Sequence, residues 1–233
     1  MLNYQNAYLI GTLVAFFPIW LIFFLWRKDL RREIIVTGIF GAILAPVSEI
    51  LSFRDYWRPP IMLQLPFNTG GIEDILFGFI IAGIAATFYE ICLGKHFSRV
   101  RNRIHHWILI TVISFFILLP SMVIINLGFN INSVYALIVI LASWSLIVLF
   151  YRHDLLRDAL LSAIFFGIFY FLAFLIILEM YPQAVSRFWL LENLSGILLL
   201  GIPIEELLFA FFTGLAVGPF YEFMCGLRIK DYS

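Results

Sequence analysis

A few carboxylic acids interrupt otherwise apolar stretches of the chain, and they are the residues best suited to do chemistry there. They are Glu49, Glu73, Asp74, Glu90, Glu179, Glu205, Glu206 and Glu222. An ionisable side chain inside a membrane is costly, so each of them is a candidate functional residue. Two adjacent pairs, Glu73 with Asp74 and Glu205 with Glu206, are of most interest because the sequence around them is repeated.

Each acidic pair has two interpretations. Both pairs fall in the first turn of an apolar helix, after Gly70-Gly71 in one case and after Pro203 in the other. Acids there can simply complement the helix dipole, and proline favours the first helical turn. Alternatively, a half-desolvated carboxylic acid keeps its proton and delivers it into an apolar cavity. Two adjacent acids in both copies favour the second interpretation, because one cap would be enough.

Two FYE sequences place Glu90 and Glu222 about 17 residues further along, roughly 25 Å at the rise of a helix. We therefore expect them at the opposite end of the spans, near the basic loops. An interfacial tyrosine beside an acid explains FYE most simply. A catalytic role for the two acids, with Tyr89 and Tyr221, is a secondary prediction.

Acids four residues apart also begin two spans, Asp29 with Glu33 and Asp154 with Asp158. Membrane prenyltransferases bind magnesium diphosphate with aspartate-rich motifs at comparable helix ends. Arginines interleave with the acids here, so ordinary helix starts are the simpler explanation. No Cys/His spacing indicates a metal site either. We predict no metal ion and no cofactor.

The elements that carry these acids follow from composition. Of 233 residues, 63% are apolar and 13% charged, which indicates a polytopic all-α membrane protein. The 15 basic residues balance the 15 acidic ones, and this argues against a nucleic-acid partner. Seven helices are predicted, approximately Ala7 to Trp26, Ile34 to Phe53, Ile72 to Leu93, Trp107 to Leu127, Ser133 to Tyr151, Ala159 to Leu178 and Pro203 to Cys225.

Loop charges predict the orientation. Twelve lysines and arginines fall in one set of loops, whereas the other set holds only Arg54, Arg58 and Arg187. By the positive-inside rule the N-terminus lies outside and the C-terminus in the cytoplasm. The absence of a lysine in mid-membrane, which a retinal Schiff base would need, argues against a photoreceptor of the opsin kind.

The chain also contains an internal repeat. WRKDL at 26–30 matches YRHDL at 151–155, and IEDILFGF at 72–79 matches IEELLFAF at 204–211. The second offset of 132 also aligns the two FYE sequences. We predict two parallel three-helix repeats, 1–98 and 131–233, joined by a spacer helix within 99–130. Such repeats place a shared site in the cleft between them.

At PIEELLF, 203–209, this tandem repeat resembles the integral-membrane lycopene cyclases. Pro203, Glu205 and Glu206 match the Pro-x-Glu-Glu/Asp motif of that family, which supplies its catalytic acids. The first copy keeps Glu73 and Asp74 but has Gly71 in place of proline. The resemblance implies an isomerase of carotenoid biosynthesis that needs no metal, nucleotide or flavin.

The implied reaction protonates the open ψ end of lycopene and closes it to an ionone ring without redox change. We predict Glu205 or Glu206 as the proton donor, with Glu73 and Asp74 as repeat counterparts. Pro203, Phe209 and Phe77 are predicted to bind the substrate, and aromatic faces in the cleft to stabilise the cation.

The partners expected are a lipid-soluble carotenoid, membrane lipids and other carotenoid enzymes. A carotenoid hydratase, another membrane enzyme that modifies polyprenoids, and a non-enzymatic carrier or assembly partner remain open as alternatives.

Overall fold

The computed structural model describes residues 4–66, 69–94, 96–99 and 104–230. Three basic residues used in the orientation prediction, Lys95, Arg101 and Arg103, lie outside this part. The helices in chain order are α1 Tyr4–Trp26, α2 Arg31–Asp55, α3 Ile72–Leu93, α4 Ile104–Val123, α5 Ser133–Tyr151, α6 Leu156–Met180, α7 Ala184–Phe188, α8 Ile204–Val217 and α9 Phe220–Cys225. The strands are β1 His96–Arg99, β2 Leu198–Leu199, β3 Ile202–Pro203 and β4 Leu227–Lys230.

The predicted all-α fold with seven membrane-spanning helices is confirmed for the described residues. The helices long and apolar enough to cross a membrane are Tyr4–Trp26, Arg31–Asp55, Ile72–Leu93, His106–Gly128, Ser133–Tyr151, His153–Met180 and Ile204–Cys225. The protein is therefore an integral membrane protein. We call the end of the bundle that carries the acidic pairs the outer end and the opposite one the inner end, following the predicted orientation.

The last span is less regular than predicted, because it divides into α8 and α9 around Gly218 and Pro219. Proline has no N–H to continue a helical ladder. The first span is also irregular, since a π turn over Thr12–Phe16 precedes Pro18. That wider turn carries Thr12 and Phe16, which both reach the cavity described below.

Glycines allow the helices of each half to pack closely. A Cβ added at Gly41 of α2 would lie 2.2 Å from the Gly78 carbonyl oxygen of α3, and one at Gly214 of α8 would lie 2.7 Å from the Ser162 carbonyl oxygen of α6. Small residues at such crossings let backbones approach in a membrane, where burial gives no drive for association. The first contact holds the middle of α2 against the first half of α3.

Backbone pairing joins the two halves at both ends of the bundle. At the outer end Trp57 pairs antiparallel with Trp189, flanked by hydrogen bonds between 58 and 188 and between 190 and 56. At the inner end β1 pairs antiparallel with β4, with Phe97 opposite Ile229. The strands follow Gly94 and Gly226, whose left-handed φ angles of 61° and 62° end α3 and α9.

Candidate active site at the outer end of the bundle

A cavity of about 900 Å³ lies among the membrane-spanning helices. Most of its wall is aliphatic or aromatic. Its phenylalanines include Phe40, Phe77, Phe115, Phe174, Phe209 and Phe220. Among the described residues that line it, Glu49 and Glu206 are the acids. The cavity therefore offers two carboxyl groups to an otherwise apolar ligand.

The cavity reaches the surface of the bundle at the outer part of α2 and at the end of the fourth span. Val47 and Ile50 of α2 line it, as do Val123 and Leu127 of the fourth span. All four side chains are also exposed on the surface of the bundle. A membrane would place lipid tails against this surface, so a hydrophobic molecule can enter from the bilayer without crossing water.

Glu206 accepts more hydrogen bonds than Glu49, the other acid on the cavity wall. It is 4% exposed, and its Oε1 accepts hydrogen bonds from the Tyr56 hydroxyl and from Trp189 Nε1 at 2.9 Å. Its Oε2 accepts one from the Tyr170 hydroxyl at 2.6 Å. Hydrogen bonds from three donors stabilise the carboxylate form.

Tyr56 lies just beyond the end of α2, outside the membrane-spanning segments. Burial, and the charge and hydrogen bond of Glu206 beside it, raise the pKa of the Tyr56 phenol well above its ordinary value. The phenol therefore keeps its proton and remains a donor to Glu206 across the physiological pH range.

Glu49 near the end of α2 is the second acid on the wall. Its Oε2 accepts a hydrogen bond from Trp57 Nε1 at 2.9 Å. The Trp57 ring lies 5.3 Å from the ring of Trp189, which binds Glu206, so two neighbouring indoles hold the two acids. Glu49 is also near enough to Asp74 and Glu206 to interact with their charges.

Asp74, the second acid of the Glu73-Asp74 pair, caps the start of α3. Its Oδ2 accepts a hydrogen bond from the Gly71 amide at 2.6 Å, and its Oδ1 one from the Tyr8 hydroxyl at 2.7 Å. Asp74 is fully buried but is not part of the cavity wall. It satisfies a free N–H at the start of α3, which is the capping interpretation.

The leading acid of each pair holds the loop that precedes its helix. Glu73 Oε1 accepts a hydrogen bond from the Met62 amide at 2.7 Å. Glu205 Oε1 accepts one from the Ser195 amide at 2.8 Å and one from the Tyr135 hydroxyl at 2.7 Å. Neither acid lines the cavity. Of the four predicted catalytic acids, the structure thus brings Glu206 alone to the cavity.

The predicted substrate-binding residues divide in the same way. Phe77 and Phe209 both line the cavity, each beside a tyrosine that binds an acid, Tyr8 and Tyr170 respectively. Pro203 is the N-cap of α8 and is buried away from the cavity wall. It can act on the site only by shaping the start of α8.

The secondary candidates lie at the inner end of the bundle and do not line the cavity. They are Glu90, Glu222, Tyr89 and Tyr221. Glu90 is one helix length away from Glu73 on α3, as the spacing predicted. These residues cannot take part in a reaction at Glu206.

Glu49 was predicted only as one of several candidate acids without a specific role, and Tyr56, Tyr170 and Trp189 were not predicted as site residues. One signal for the tryptophans was available. Trp57 and Trp189 are 132 residues apart, the offset that aligns the two acidic pairs. Nothing in the local sequence marks Tyr170 among the other aromatic residues of α6, because its role depends on which face of α6 meets α8.

Residues 132–224 match the family model described as Lycopene cyclase. By this match the second half of the chain resembles the lycopene cyclase family. The matched segment runs from the start of α5 almost to the end of α9, and it includes Tyr170, Trp189 and Glu206. Glu49 and Tyr56 lie outside it. No curated protein and no solved structure matches the chain.

The match supports a lycopene cyclase function, and the substrate that this family implies is a lipid-soluble carotenoid. The apolar cavity, which reaches the surface of the bundle, suits such a molecule. Pockets for small molecules commonly measure about 300–1,000 Å³ and are mostly apolar with a few placed polar groups.

Proposed function

We propose that the protein cyclises the ψ end groups of lycopene to ionone rings, with Glu49 and Glu206 as an acid and base pair. The observation that carries the proposal is the cavity itself. The carboxyl groups of Glu49 and Glu206 face one apolar space that reaches the surface of the bundle. Glu206 accepts hydrogen bonds from three donors, and Glu49 from one.

In this proposal Glu49 is the proton donor, in place of the Glu205 or Glu206 predicted from the sequence, and Glu206 is the base. Two negative charges in one apolar cavity are costly, so one of the two carboxyl groups keeps a proton. Glu206 is the better carboxylate, because three hydrogen-bond donors stabilise its charge. Glu49 accepts only one such hydrogen bond. It also lies near Asp74, whose negative charge opposes a negative charge on Glu49.

The reaction needs one proton to enter the end group and one to leave it. Glu49 protonates the terminal double bond, and the neighbouring internal double bond attacks the resulting cation to form the ring bond. The Glu206 carboxylate accepts a proton from the ring cation, which restores a double bond. Transfer of that proton from Glu206 to Glu49 returns the pair to its starting state, so the net change is isomerisation.

Aromatic side chains shield the cation in this scheme. Phe77, Phe209 and Tyr170 line the cavity, and Tyr170 contacts both Glu206 and the ring of Phe209. The face of an aromatic ring attracts a cation, and more strongly in a site without water. The same walls keep water from capturing the cation as an alcohol.

We further propose that 1–98 and 131–233 are repeats about an axis along the membrane normal, joined by a spacer helix. Three facts support this. Trp57 pairs through its backbone with Trp189, and Phe97 with Ile229. In both pairs the residues are 132 positions apart, so equivalent positions of the two repeats pair with each other. Arg27 and Arg152, 125 residues apart, both bind an acid two residues ahead. The orientation with the N-terminus outside rests on the loop charges alone.

The proposed activity is tested in a bacterial host that accumulates lycopene. Wild-type protein should convert lycopene to products with one or two rings, separated by chromatography and identified by absorption and mass. Glu179→Gln, a change to an exposed acid of α6, is the matched control and should behave as wild type. Unchanged lycopene beside well-folded wild-type protein would refute the proposal, and a hydroxylated product would identify a hydratase instead.

A further inference from the structure

Three buried glutamates meet at the inner end of the bundle, and none of them lines the cavity. Glu33 comes from α2, Glu90 from α3 and Glu222 from α9. Their exposures are 1%, 1% and 0%. One carboxylate oxygen from each lies within 4.8 Å of the other two.

These carboxyl groups lack donors, unlike the acids at the outer end. None of their six oxygens has a hydrogen-bond partner in the described part of the chain. A buried carboxylate without hydrogen bonds or a counterion is among the most costly groups in a folded protein. The charge of three such groups must be neutralised, either by protons or by a cation bound between them.

The nearby arginines do not fill that role. Arg27 lies close to Glu33, but its guanidinium binds the Asp29 carboxylate and the Glu90 carbonyl oxygen. Arg152 likewise binds Asp154 and the Leu227 carbonyl oxygen. Both arginines therefore contribute positive charge from a distance and leave the carboxylate oxygens free.

We propose that Glu33, Glu90 and Glu222 bind one divalent cation of the Mg²⁺, Mn²⁺ or Ca²⁺ class. All the ligand atoms are carboxylate oxygens, which such hard cations prefer. Oxygens bound to one ion at about 2.0–2.6 Å can be at most about 5.2 Å apart, so the observed spacing suits a shared ion. Water would complete the coordination shell.

The cation would join the two halves of the chain. Glu33 and Glu90 belong to the first half and Glu222 to the second, so one ion links α2, α3 and α9 beside the β1–β4 pairing. The other occupant that the geometry allows is a proton, because Glu90 and Glu222 are near enough to share one. The experiment distinguishes the two.

The test uses purified full-length protein in detergent, stripped with EDTA and without any carotenoid. Manganese binding is followed by paramagnetic resonance, and bound metal is counted by mass spectrometry after desalting. We expect one saturable ion per chain and displacement of Mn²⁺ by Mg²⁺ or Ca²⁺. At about 100 times Kd the Tm should rise by on the order of 5–10 °C, because the ion binds the folded state alone.

Glu222→Gln and Glu90→Gln each keep the side-chain shape and remove one charged ligand. Either should weaken Mn²⁺ binding at least about tenfold, as expected for loss of a charge-assisted contact. The exposed Glu179→Gln is the matched control and should bind as wild type. Absence of saturable binding by wild-type protein overturns the proposal, whatever the variants do. Equal affinity in all variants, or a Tm that depends on pH but not on the metal, overturns it as well.

Discussion

The acidic pairs of the two halves occupy equivalent helix starts but differ in what the second acid does. Glu206 turns into the cavity and accepts three side-chain hydrogen bonds, whereas Asp74 turns back and accepts one from the Gly71 amide and one from the Tyr8 hydroxyl. Both are the third residue of their helix, the position from which an acid reaches back to the N-cap amide.

The residue at the N-cap explains the difference. Gly71 has an amide proton, and Asp74 binds it. Pro203 occupies the equivalent place in the second half and has no N–H to offer. Glu206, one methylene longer than Asp74, is therefore free to reach Tyr56, Tyr170 and Trp189. A single proline thus separates a capping acid from a candidate catalytic one.

Removing the carboxylate of Glu206 should have the largest effect. Glu206→Gln should lower ring formation by about 10²–10⁴-fold, the usual contribution of a positioned acid or base. The measurement is product per folded protein in a lycopene-accumulating host. The neighbouring Glu205→Gln is the control, and it should chiefly loosen the loop at Ser195 and lower Tm. Similar losses of activity in both variants would contradict the assignment.

Glu49 and Asp74 provide the next comparison, because the two acids lie near each other but only Glu49 lines the cavity. Glu49→Gln should reduce activity by about 10²-fold or more, as expected for loss of the proton donor. Asp74→Asn should cost about 1 kcal/mol of stability as a weakened cap and leave most activity. A larger loss of activity in Asp74→Asn than in Glu49→Gln would indicate that Asp74 is the proton donor.

The hydrogen bonds to Glu206 should contribute less individually. Tyr170→Phe or Tyr56→Phe removes one donor, and a bond to a charged group contributes about 1.5–3 kcal/mol, so activity should fall roughly tenfold or more. Because the raised pKa of Tyr56 keeps its phenol protonated, the deficit of Tyr56→Phe should be constant through neutral and mildly alkaline pH. Tyr8→Phe, which removes the donor to Asp74, should have little effect on activity.

Pro203→Ala tests whether the missing N–H at the N-cap of α8 matters for Glu206, and we expect it to have the smallest effect. The substitution restores an N–H that can bind Glu206 in competition with its three donors. A cap contributes about 1 kcal/mol, so activity should fall about fivefold while Tm rises or stays constant. Pro182→Ala, in an exposed turn, is the control. Undiminished activity in Pro203→Ala would show that Pro203 does not set the direction of Glu206.

Much of the fold was predictable from the sequence, because long apolar segments in a membrane have few alternatives to helices. The break at Gly218 and Pro219, the short α7 and the strands β1 to β4 were not predicted. Their residues are either too few for a periodic pattern or pair with segments distant in the chain. The β1–β4 pairing, for example, joins residues more than 100 positions apart.

The sequence alone determined that the protein lies in a membrane, which acids are costly, and that two acidic pairs occur at matched depth. Only the tertiary structure decided which carboxyl groups meet. It brought Glu49 to Glu206 across the cavity, and Glu33 to Glu90 and Glu222 at the other end. A periodic pattern fixes the face of one helix, but contacts between helices depend on how their surfaces pack, and packing is set by shapes such as those of Gly41 and Gly214.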